Sequence, residues 1–306
     1  MARDLIRREP SDELKVGSGP YQCAWRGPRS YVDGGFLMSV ITISRGSFSG
    51  GKTLAECLAR RLGYRCIDRD VIVERAAAYG VSQDALRAAL EKPPSFLDRF
   101  QHKKYLYLAL IQAALAEEVR GGKAIYHGLA GHLLLKGGHP ILRTRIIAPM
   151  ETRVQMIQER LKYSRHDAIA YIERVDEGRH KWTEFLYGVD WGDPTLYDIV
   201  LNLEYITLEE ACHIISSMVI ERSFEFTPEC QQRMDDLALG SRVRADLAIA
   251  PSTADLELEV LAHSGVVSIQ GKVSTLGQIN EVKQVVSAAS GVVSLNLDEL
   301  MPPVRV

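Results

Sequence analysis

The sequence of 306 residues predicts an α/β protein in which a parallel sheet lies between layers of helices, followed by a small α+β domain. From Ser39 onwards, short β-branched runs alternate with longer amphipathic segments, a pattern typical of strands joined by crossover helices. The apolar period is lost near residues 223–230, and a new set of strands and helices follows. The length also suits two domains of average size. We therefore predict two folded domains joined by a linker.

The chain begins with a segment that has no regular pattern. Residues 1–37 mix charges, Gly, Pro and single aromatic residues without a sustained apolar period, which predicts a flexible extension. Met38 directly precedes the first clear strand, so our hypothesis is that translation starts there.

The first domain is predicted to span residues 38–223. Pro93 and Pro94 divide its long helical insert, because proline does not continue a helix interior. Strands that alternate with helices need crossover connections, so the sheet should be parallel and covered on both faces. The predicted elements are, in chain order, a strand at 39–44, a helix at 53–62, a strand at 64–67, helices to about 120, strands at 123–128 and 140–148, helices at 150–161 and 165–187, a strand at 197–203 and a helix at 208–222.

The second domain is predicted over residues 237–301, after a linker at 224–236. The phrase GVVSIQG at 265–271 is echoed by GVVSLNL at 291–297, and we interpret the echo as two strands in similar environments. The predicted order α-β-β-α-β consists of a helix at 235–248, strands at 256–261 and 266–269, a helix at 278–289 and a strand at 292–297.

Composition excludes several classes of partner. The net charge is -2 and the pI is near 6.5, so no overall positive field attracts nucleic acid or anionic lipid. No stretch reaches the ~18 to 20 apolar residues of a membrane helix, and the N-terminus is too charged for a signal peptide. The five cysteines are scattered and lack the paired spacing of a zinc site. These features predict a cytoplasmic protein without a nucleic-acid or membrane partner.

One motif points to phosphate binding. Residues 46–53, GSFSGGKT, satisfy G-x-x-x-x-G-K-[ST] between a predicted strand and a predicted helix. Glycines let the backbone approach an anion, and the N–H groups at the start of the helix point towards it. Lys52 can reach the β- and γ-phosphates of a nucleoside triphosphate, and the Thr53 hydroxyl can ligate Mg²⁺. The alternative is a purely structural glycine turn. The predicted ATP-binding residues are Gly46, Ser47, Phe48, Ser49, Gly50, Gly51, Lys52 and Thr53.

The remainder of the first domain favours a kinase that acts on a small molecule. A switch or motor protein usually has an acidic Mg²⁺ partner at the end of a strand, whereas the strand KAIYHG ends at His127 and Gly128. Kinases need cations that neutralise charge on the transferred phosphoryl group. Alternatively, these cations form a solvated helix face, paired with Glu173, Glu177 and Glu184. The candidate arginines are Arg153, Arg160, Arg165, Arg174 and Arg179.

The segments ITISRGSFSGGKTLAECLARRLGYRCIDRDVI, APMETRVQMIQER and VDWGDPTLYDIVLNL resemble the cytidylate-kinase-like branch of the nucleoside monophosphate kinases. The resemblance implies a three-layer P-loop kinase fold with a helical lid, and transfer from ATP to CMP or dCMP with Mg²⁺. It implies that Lys52 and Thr53 lie at the donor, and Asp68 and Arg69 at the acceptor edge. It also assigns three arginines to the lid, namely Arg160, Arg174 and Arg179.

The chain departs from this family where members often carry Gly-Arg-Gly, because it has His127-Gly128-Leu129 there. A cation expected near the acceptor is therefore missing. This departure favours an alternative function, a nucleotide-binding sensor that does not turn over. In that hypothesis the C-terminal domain responds to ligand occupancy.

The C-terminal domain resembles the BON domain through GVVSIQGKVST and ASGVVSLNLDEL. That family is associated with lipid surfaces or small ligands. Here, however, acidic residues outnumber basic ones, so we do not expect membrane contact. We expect a regulatory or dimerising module that could form a homo-oligomer. The charges compared are Asp255, Glu257, Glu259 and Glu281 against Lys272 and Lys283.

Histidines and tryptophans allow two interpretations each. The spacing of His127, His132 and His139 places no pair on one helical turn, so we expect core or loop histidines rather than a metal site. Trp182 and Trp191 should pack the lid against the core, with stacking on a nucleobase as the alternative.

Overall fold

The structure, a computed structural model, describes residues 39–91, 101–128, 130–219 and 227–301. The predicted N-terminal extension, the Pro93–Pro94 break and Leu129 lie outside these ranges, as do the first residues of the predicted linker. Within the described ranges, no helix has the length and apolar character needed to span a membrane.

The first domain contains five strands and the helices that cover them. The strands are β1 (Val40–Arg45), β2 (Arg65–Ile67), β3 (Ala124–Tyr126), β4 (Ile141–Ile147) and β5 (Ile199–Asn202). The helices are α1 (Gly51–Leu62), α2 (Arg69–Ala77), α3 (Gln83–Glu91), α4 (Gln101–Val119), α5 (Gly131–Leu134), α6 (Met150–Leu161), α7 (Arg165–Tyr187) and α8 (Leu208–Val219), with a 3₁₀ turn at Pro194–Leu196.

The five strands form one parallel sheet in the order β2-β3-β1-β4-β5. Strand β1 lies at its centre, where Val40 is aligned with Ala124 of β3 and with Ile141 of β4. Because all strands run the same way, their carboxyl ends meet at one edge, where ligands of open α/β sheets bind. The predicted fold class, a P-loop kinase sheet between helical layers, is confirmed.

Each face of the sheet has its own core. Ile41 and Ile43 of β1 are buried on the face covered by α1 and α8. Val40 and Tyr126 are buried on the opposite face, beneath α2, α4 and α5, where Trp182 of α7 also packs. A strand covered on both faces needs apolar residues at successive positions, which explains the β-branched run of β1.

The C-terminal domain is built on a second sheet. Strand β7 lies between an antiparallel β6 and a parallel β8, and it also pairs with β9. Val267 and Ile269 are buried against α10. The predicted α-β-β-α-β order is confirmed, with one short strand added. The elements are α9 (Pro228–Ile249), β6 (Leu258–His263), β7 (Val266–Lys272), α10 (Leu276–Ala288), β8 (Ser294–Asn296) and β9 (Leu300–Met301).

Helix α9 corrects one prediction. We predicted a helix from Asp235, but α9 begins at Pro228, so much of the expected linker is helical. Thr227 caps this helix by accepting a hydrogen bond from the Cys230 N–H, and proline suits the first helical turn. Met234 packs in the core of the first domain. Helix α9 therefore joins the two cores, while the assignment of 237–301 as a separate domain stays a prediction.

Candidate active site

A cleft of ≈ 820 Å³ opens at the edge of the first sheet where the strands end. It brings together residues that lie far apart in the sequence, from the ends of β1, β2 and β3 and from helix α7. Its lining includes Ser44, Arg45, Lys52, Asp68, Arg69, Asp70, His127, His132, Arg174, Arg179 and Trp191.

The loop between β1 and α1 connects two residues that line the cleft, Arg45 at the end of β1 and Lys52 in α1. Gly50 has φ +82°, which non-glycine residues rarely adopt, and it precedes α1 without a side-chain cap. The N–H groups of the first helical turn have no acceptor within the helix, so they are available to an anion. A Cβ on Gly51 would lie 2.2 Å from Cδ of Arg45, so this position also favours glycine.

Side chains of this loop divide into buried and exposed sets. The Ser49 hydroxyl is buried and donates to the Gly46 carbonyl at 3.0 Å, which holds the turn closed. Phe48 packs edge-on against Tyr171, with ring centroids 6.0 Å apart. Lys52 and Thr53 are exposed at the start of α1. The loop therefore has a packed inner side and an outer side that a ligand can reach.

A carboxylate on α7 ties this loop to the helices above it. Asp176 accepts hydrogen bonds from the Ser47 N–H at 3.3 Å and from the Ser47 hydroxyl at 3.2 Å. The same carboxylate pairs with Arg153 of α6 and lies 3.7 Å from Arg179. Arg153 donates to the Ser47 carbonyl at 2.8 Å, and Arg179 to the Arg45 carbonyl at 2.7 Å. We call these five residues the brace: Arg45, Ser47, Arg153, Asp176 and Arg179.

Positive charge is concentrated beside the loop. Burial lowers the pKa of Arg179 to about 10, and the neighbouring Arg45 and Arg153 add to the effect. Burial also lowers the pKa of Arg45, with Arg69 and Arg160 contributing. Both arginines stay protonated at neutral pH, so the site presents closely spaced cations that an anionic ligand would stabilise.

Asp68 and Arg69 both line the cleft. Asp68 caps α2 by accepting a hydrogen bond from the Val71 N–H at 3.0 Å, and Arg69 is the first residue of that helix. His127 follows β3, and its N–H donates to the Ile67 carbonyl at the end of β2 at 3.1 Å. The ends of two neighbouring strands thus form the second side of the cleft.

A family model, the cytidylate kinase-like family, matches residues 40–205. The chain belongs to this family. The matched residues include the loop, the brace and the cleft. This protein is therefore a phosphotransferase of the nucleoside monophosphate kinase type.

Relatives agree with this assignment. The cytidylate kinase of Pyrobaculum neutrophilum is 27% identical over 180 residues, which cover 58% of this chain and 90% of that protein. The cytidylate kinase of Methanosarcina acetivorans is 32% identical over 167 residues, covering 54% and 87%. Among solved structures, shikimate kinase from Bacteroides thetaiotaomicron aligns with a TM-score of 0.39 and 12% identity, covering 59% of this chain and 98% of that chain.

The structure separates the arginines that the sequence grouped together. Arg174 and Arg179 line the cleft, and the Arg174 guanidinium lies 5.4 Å from the Tyr171 ring. Arg160 is exposed on α6 and is not among the lining residues. Arg165 pairs with Glu151 at 2.8 Å, outside the cleft. Arg165 therefore lies on a solvated helix face, whereas Arg174 and Arg179 line the cleft.

Sequence reasoning missed two groups. Asp176 gave no signal, because its role in the brace depends on how α7 lies over the loop. Arg145 lies on β4 with its guanidinium 4.3 Å from the Trp191 ring, and it donates to the Tyr197 hydroxyl at 3.3 Å. Two arginines in the strand segment RTR, at alternate positions of an otherwise apolar strand, were a usable signal for this second group.

The tryptophans and histidines singled out in the sequence differ in their burial and in their contacts. Trp182 is fully buried and donates to the Ala89 carbonyl at 3.1 Å, so it packs α7 onto the core as predicted. His127 and His132 are buried in the cleft wall, whereas His139 contacts Cys230. Across the described part of the chain, no three His, Cys, Asp or Glu side chains are grouped so that they could hold a metal ion.

Proposed function

We propose that the protein transfers a phosphoryl group from ATP to a nucleoside monophosphate, with CMP or dCMP as the acceptor. The observation that carries this proposal is a single cleft whose lining includes Lys52, Asp68, Arg69, Arg174 and Arg179. A donor loop and an acceptor edge that share one cleft support direct transfer between two bound nucleotides.

Positioning and charge stabilisation would supply most of the catalysis. Lys52 and the amides at the start of α1 would hold the donor phosphates. Arg174 and Arg179 would neutralise charge that develops on the transferred group. Arg160 would join them only if the lid closes further, because it is exposed on α6.

Residues at the start of α1 and α2 fit a magnesium ion. Mg²⁺ prefers oxygen ligands and commonly binds through one or two protein oxygens together with substrate phosphates. Thr53 is exposed beside Lys52, and Asp68 and Asp70 line the cleft together with Lys52. Thr53 would hold the ion, which would supply positive charge that neutralises the donor phosphates.

The choice of a cytidine nucleotide is supported by the relatives named cytidylate kinase, at 27% and 32% identity. A coupled assay with ATP, Mg²⁺ and a panel of monophosphates tests it. We expect turnover with CMP or dCMP, and we expect Lys52→Ala to lower kcat by ~10²- to 10³-fold, as for other lost electrostatic contacts.

Lys136→Ala is the matched control, because Lys136 is exposed after α5 and away from the cleft. It should keep the kcat of the unmodified protein. Full activity of Lys52→Ala would contradict the proposed donor site. Preferred turnover of another monophosphate would contradict the cytidine assignment alone.

A sensor without turnover is the second candidate. It is favoured by Leu129 in place of the arginine that the family often carries, and by helix α9, which packs in both cores. Calorimetry with Mg-ATP and the coupled assay together separate the two functions. Binding of ATP in calorimetry without turnover of any monophosphate in the assay indicates a sensor. The cytoplasmic location, the BON-like identity of the C-terminal domain and its role in assembly stay predictions.

A further inference from the structure

Two histidines in the cleft wall have unusual surroundings. His127 directly follows β3, and His132 lies on α5, the short helix after it. Their exposed fractions are only 6% and 7%, yet both line the cleft. Among the described residues, neither Nδ1 of His127 nor either ring nitrogen of His132 has a hydrogen-bond partner.

Buried polar atoms in proteins are nearly always hydrogen-bonded, because leaving them without a partner costs free energy. A core histidine normally meets this need within the protein. Here the ring of His132 packs against Tyr197, at 4.7 Å between centroids, while the Tyr197 hydroxyl bonds to Ser44 and to the Trp191 carbonyl. The tyrosine thus packs against the ring but is a hydrogen-bond partner for neither of its nitrogens.

Both imidazoles are neutral at physiological pH. Burial lowers the pKa of His132 to about 4, with Arg143 and Arg145 adding to the effect. Burial and Arg45 lower the pKa of His127, against a smaller opposing effect of Asp68. A neutral imidazole offers one donor and one acceptor, so it suits an uncharged group with both. The cationic residues of the cleft suit the phosphates instead.

We propose that His127 and His132 select the acceptor by hydrogen-bonding its uncharged polar part, the base or the sugar of a nucleoside monophosphate. The proposal rests on the phosphoryl transfer proposed above and adds its specificity site. The phosphate of the acceptor would then lie towards Arg69 and Arg174, at the cationic side of the cleft.

The variant His132→Phe tests this contact. Phenylalanine keeps a ring against Tyr197 but removes both nitrogens. We expect the KM for CMP to rise about tenfold, the loss of roughly one hydrogen bond, while the KM for ATP changes less than twofold. His132→Asn, which keeps a donor and an acceptor, should recover part of the loss. An unchanged KM for CMP in His132→Phe with an unchanged melting temperature would overturn the proposal.

His213→Asn is the control, because His213 is exposed on α8 at the other face of the sheet, bonded to Arg61. Comparing CMP with dCMP and UMP identifies the contacted group. If His132→Phe raises the KM for CMP but not for dCMP, the contact is at the sugar hydroxyl. If the rise in KM is the same for CMP and dCMP but differs for UMP, the contact is at the base. Either result supports the proposal.

A binding measurement separates this idea from the proposed function. In an NMR titration with CMP, the imidazole signals of His127 and His132 should shift whether or not phosphoryl transfer occurs. If no monophosphate is turned over but both signals shift, the transfer proposal fails and the histidine proposal stands. If neither signal shifts at saturating CMP, the histidine proposal is overturned even when another acceptor is turned over.

Discussion

The two sides of the cleft are built differently. The proposed donor side is one run of consecutive residues, 46–53, and its shape is set by backbone angles and glycines. The proposed acceptor side comes from separate elements: the start of α2, the end of β3, α5 and α7. A backbone surface suits any polyphosphate. Under our proposal, the side chains of His127 and His132 discriminate between acceptors. Specificity should therefore be altered by changes on the second side alone.

The brace connects the two sides, so its loss gives the largest effect that we expect on stability. In Asp176→Asn, Arg153 and Arg179 lose their shared counter-charge, although their side chains are only 11% and 23% exposed. Removing one partner from a buried ion pair is costly, and partial exposure reduces the cost, so we expect about 3 kcal/mol less unfolding free energy. Urea denaturation measures this difference.

Glu173→Gln is the matched control, since Glu173 is exposed on the same helix. Its unfolding free energy should change by less than about 0.5 kcal/mol. Equal changes in unfolding free energy for the two substitutions would show that charge does not hold the brace together. The brace would then not connect the two sides of the cleft.

The loop at residues 46–53 was predictable from sequence because its motif is local. The motif, the strand before it and the helix after it are contiguous, and the bounds of α6 and α7 also follow from local periodicity. Asp176 could not be identified, because the packing of α7 over the loop is a tertiary contact. His127 and His132 were visible as residues, but their burial in a cleft wall depends on the order of the strands.

The second largest effect concerns pH and the acceptor side. The pKa of His132 is about 4 in the folded protein, against ~6.5 for an exposed histidine, so the unfolded chain binds a proton first as the pH falls. Stability from this residue is complete above pH ~6.5 and is lost towards pH ~4, by about 2 to 3 kcal/mol. Thermal denaturation at several pH values measures the loss.

His132→Phe has no group that titrates in this window, so its stability should fall less steeply between these pH values. The comparison is made as a difference between the two proteins, because other carboxylates and histidines contribute equally to both. Parallel pH profiles would mean that His132 binds a proton as readily in the folded protein as in the unfolded chain, so that burial does not lower its pKa.

Helix α9 shows where local patterns were misjudged. Its first turn carries polar and charged residues, which we interpreted as a linker, although Thr227 before Pro228 is a typical helix start. The buried positions Met234 and Ala238 recur at helical spacing, but they become visible as a packed face only when α4 is present beside them. Secondary structure was therefore more predictable than the contact between the two cores.

A prediction with a smaller effect tests whether the backbone shape of the loop at residues 46–53 matters for ATP binding. Gly50→Ala places a side chain at φ +82° with its Cβ 3.0 Å from Leu208, and we expect about 1 to 2 kcal/mol of destabilisation. Gly63→Ala is the control, since φ is +68° there but no atom lies within 4 Å. Both variants should lose stability, but only Gly50→Ala should weaken ATP binding in calorimetry. Weaker ATP binding in both would indicate a general effect on α1.

The smallest effect concerns Trp191, whose ring lies beside the Arg145 guanidinium in the cleft wall. Trp191→Leu removes this cation–π contact at a partly exposed site, so we expect only about 0.5 to 1 kcal/mol of destabilisation. Phe185→Leu, at an exposed position of α7, is the control. A rise of tenfold or more in the KM for CMP in Trp191→Leu would indicate stacking on the base. In that case an aromatic ring, and not the histidines alone, would determine which acceptor the side-chain surface accepts.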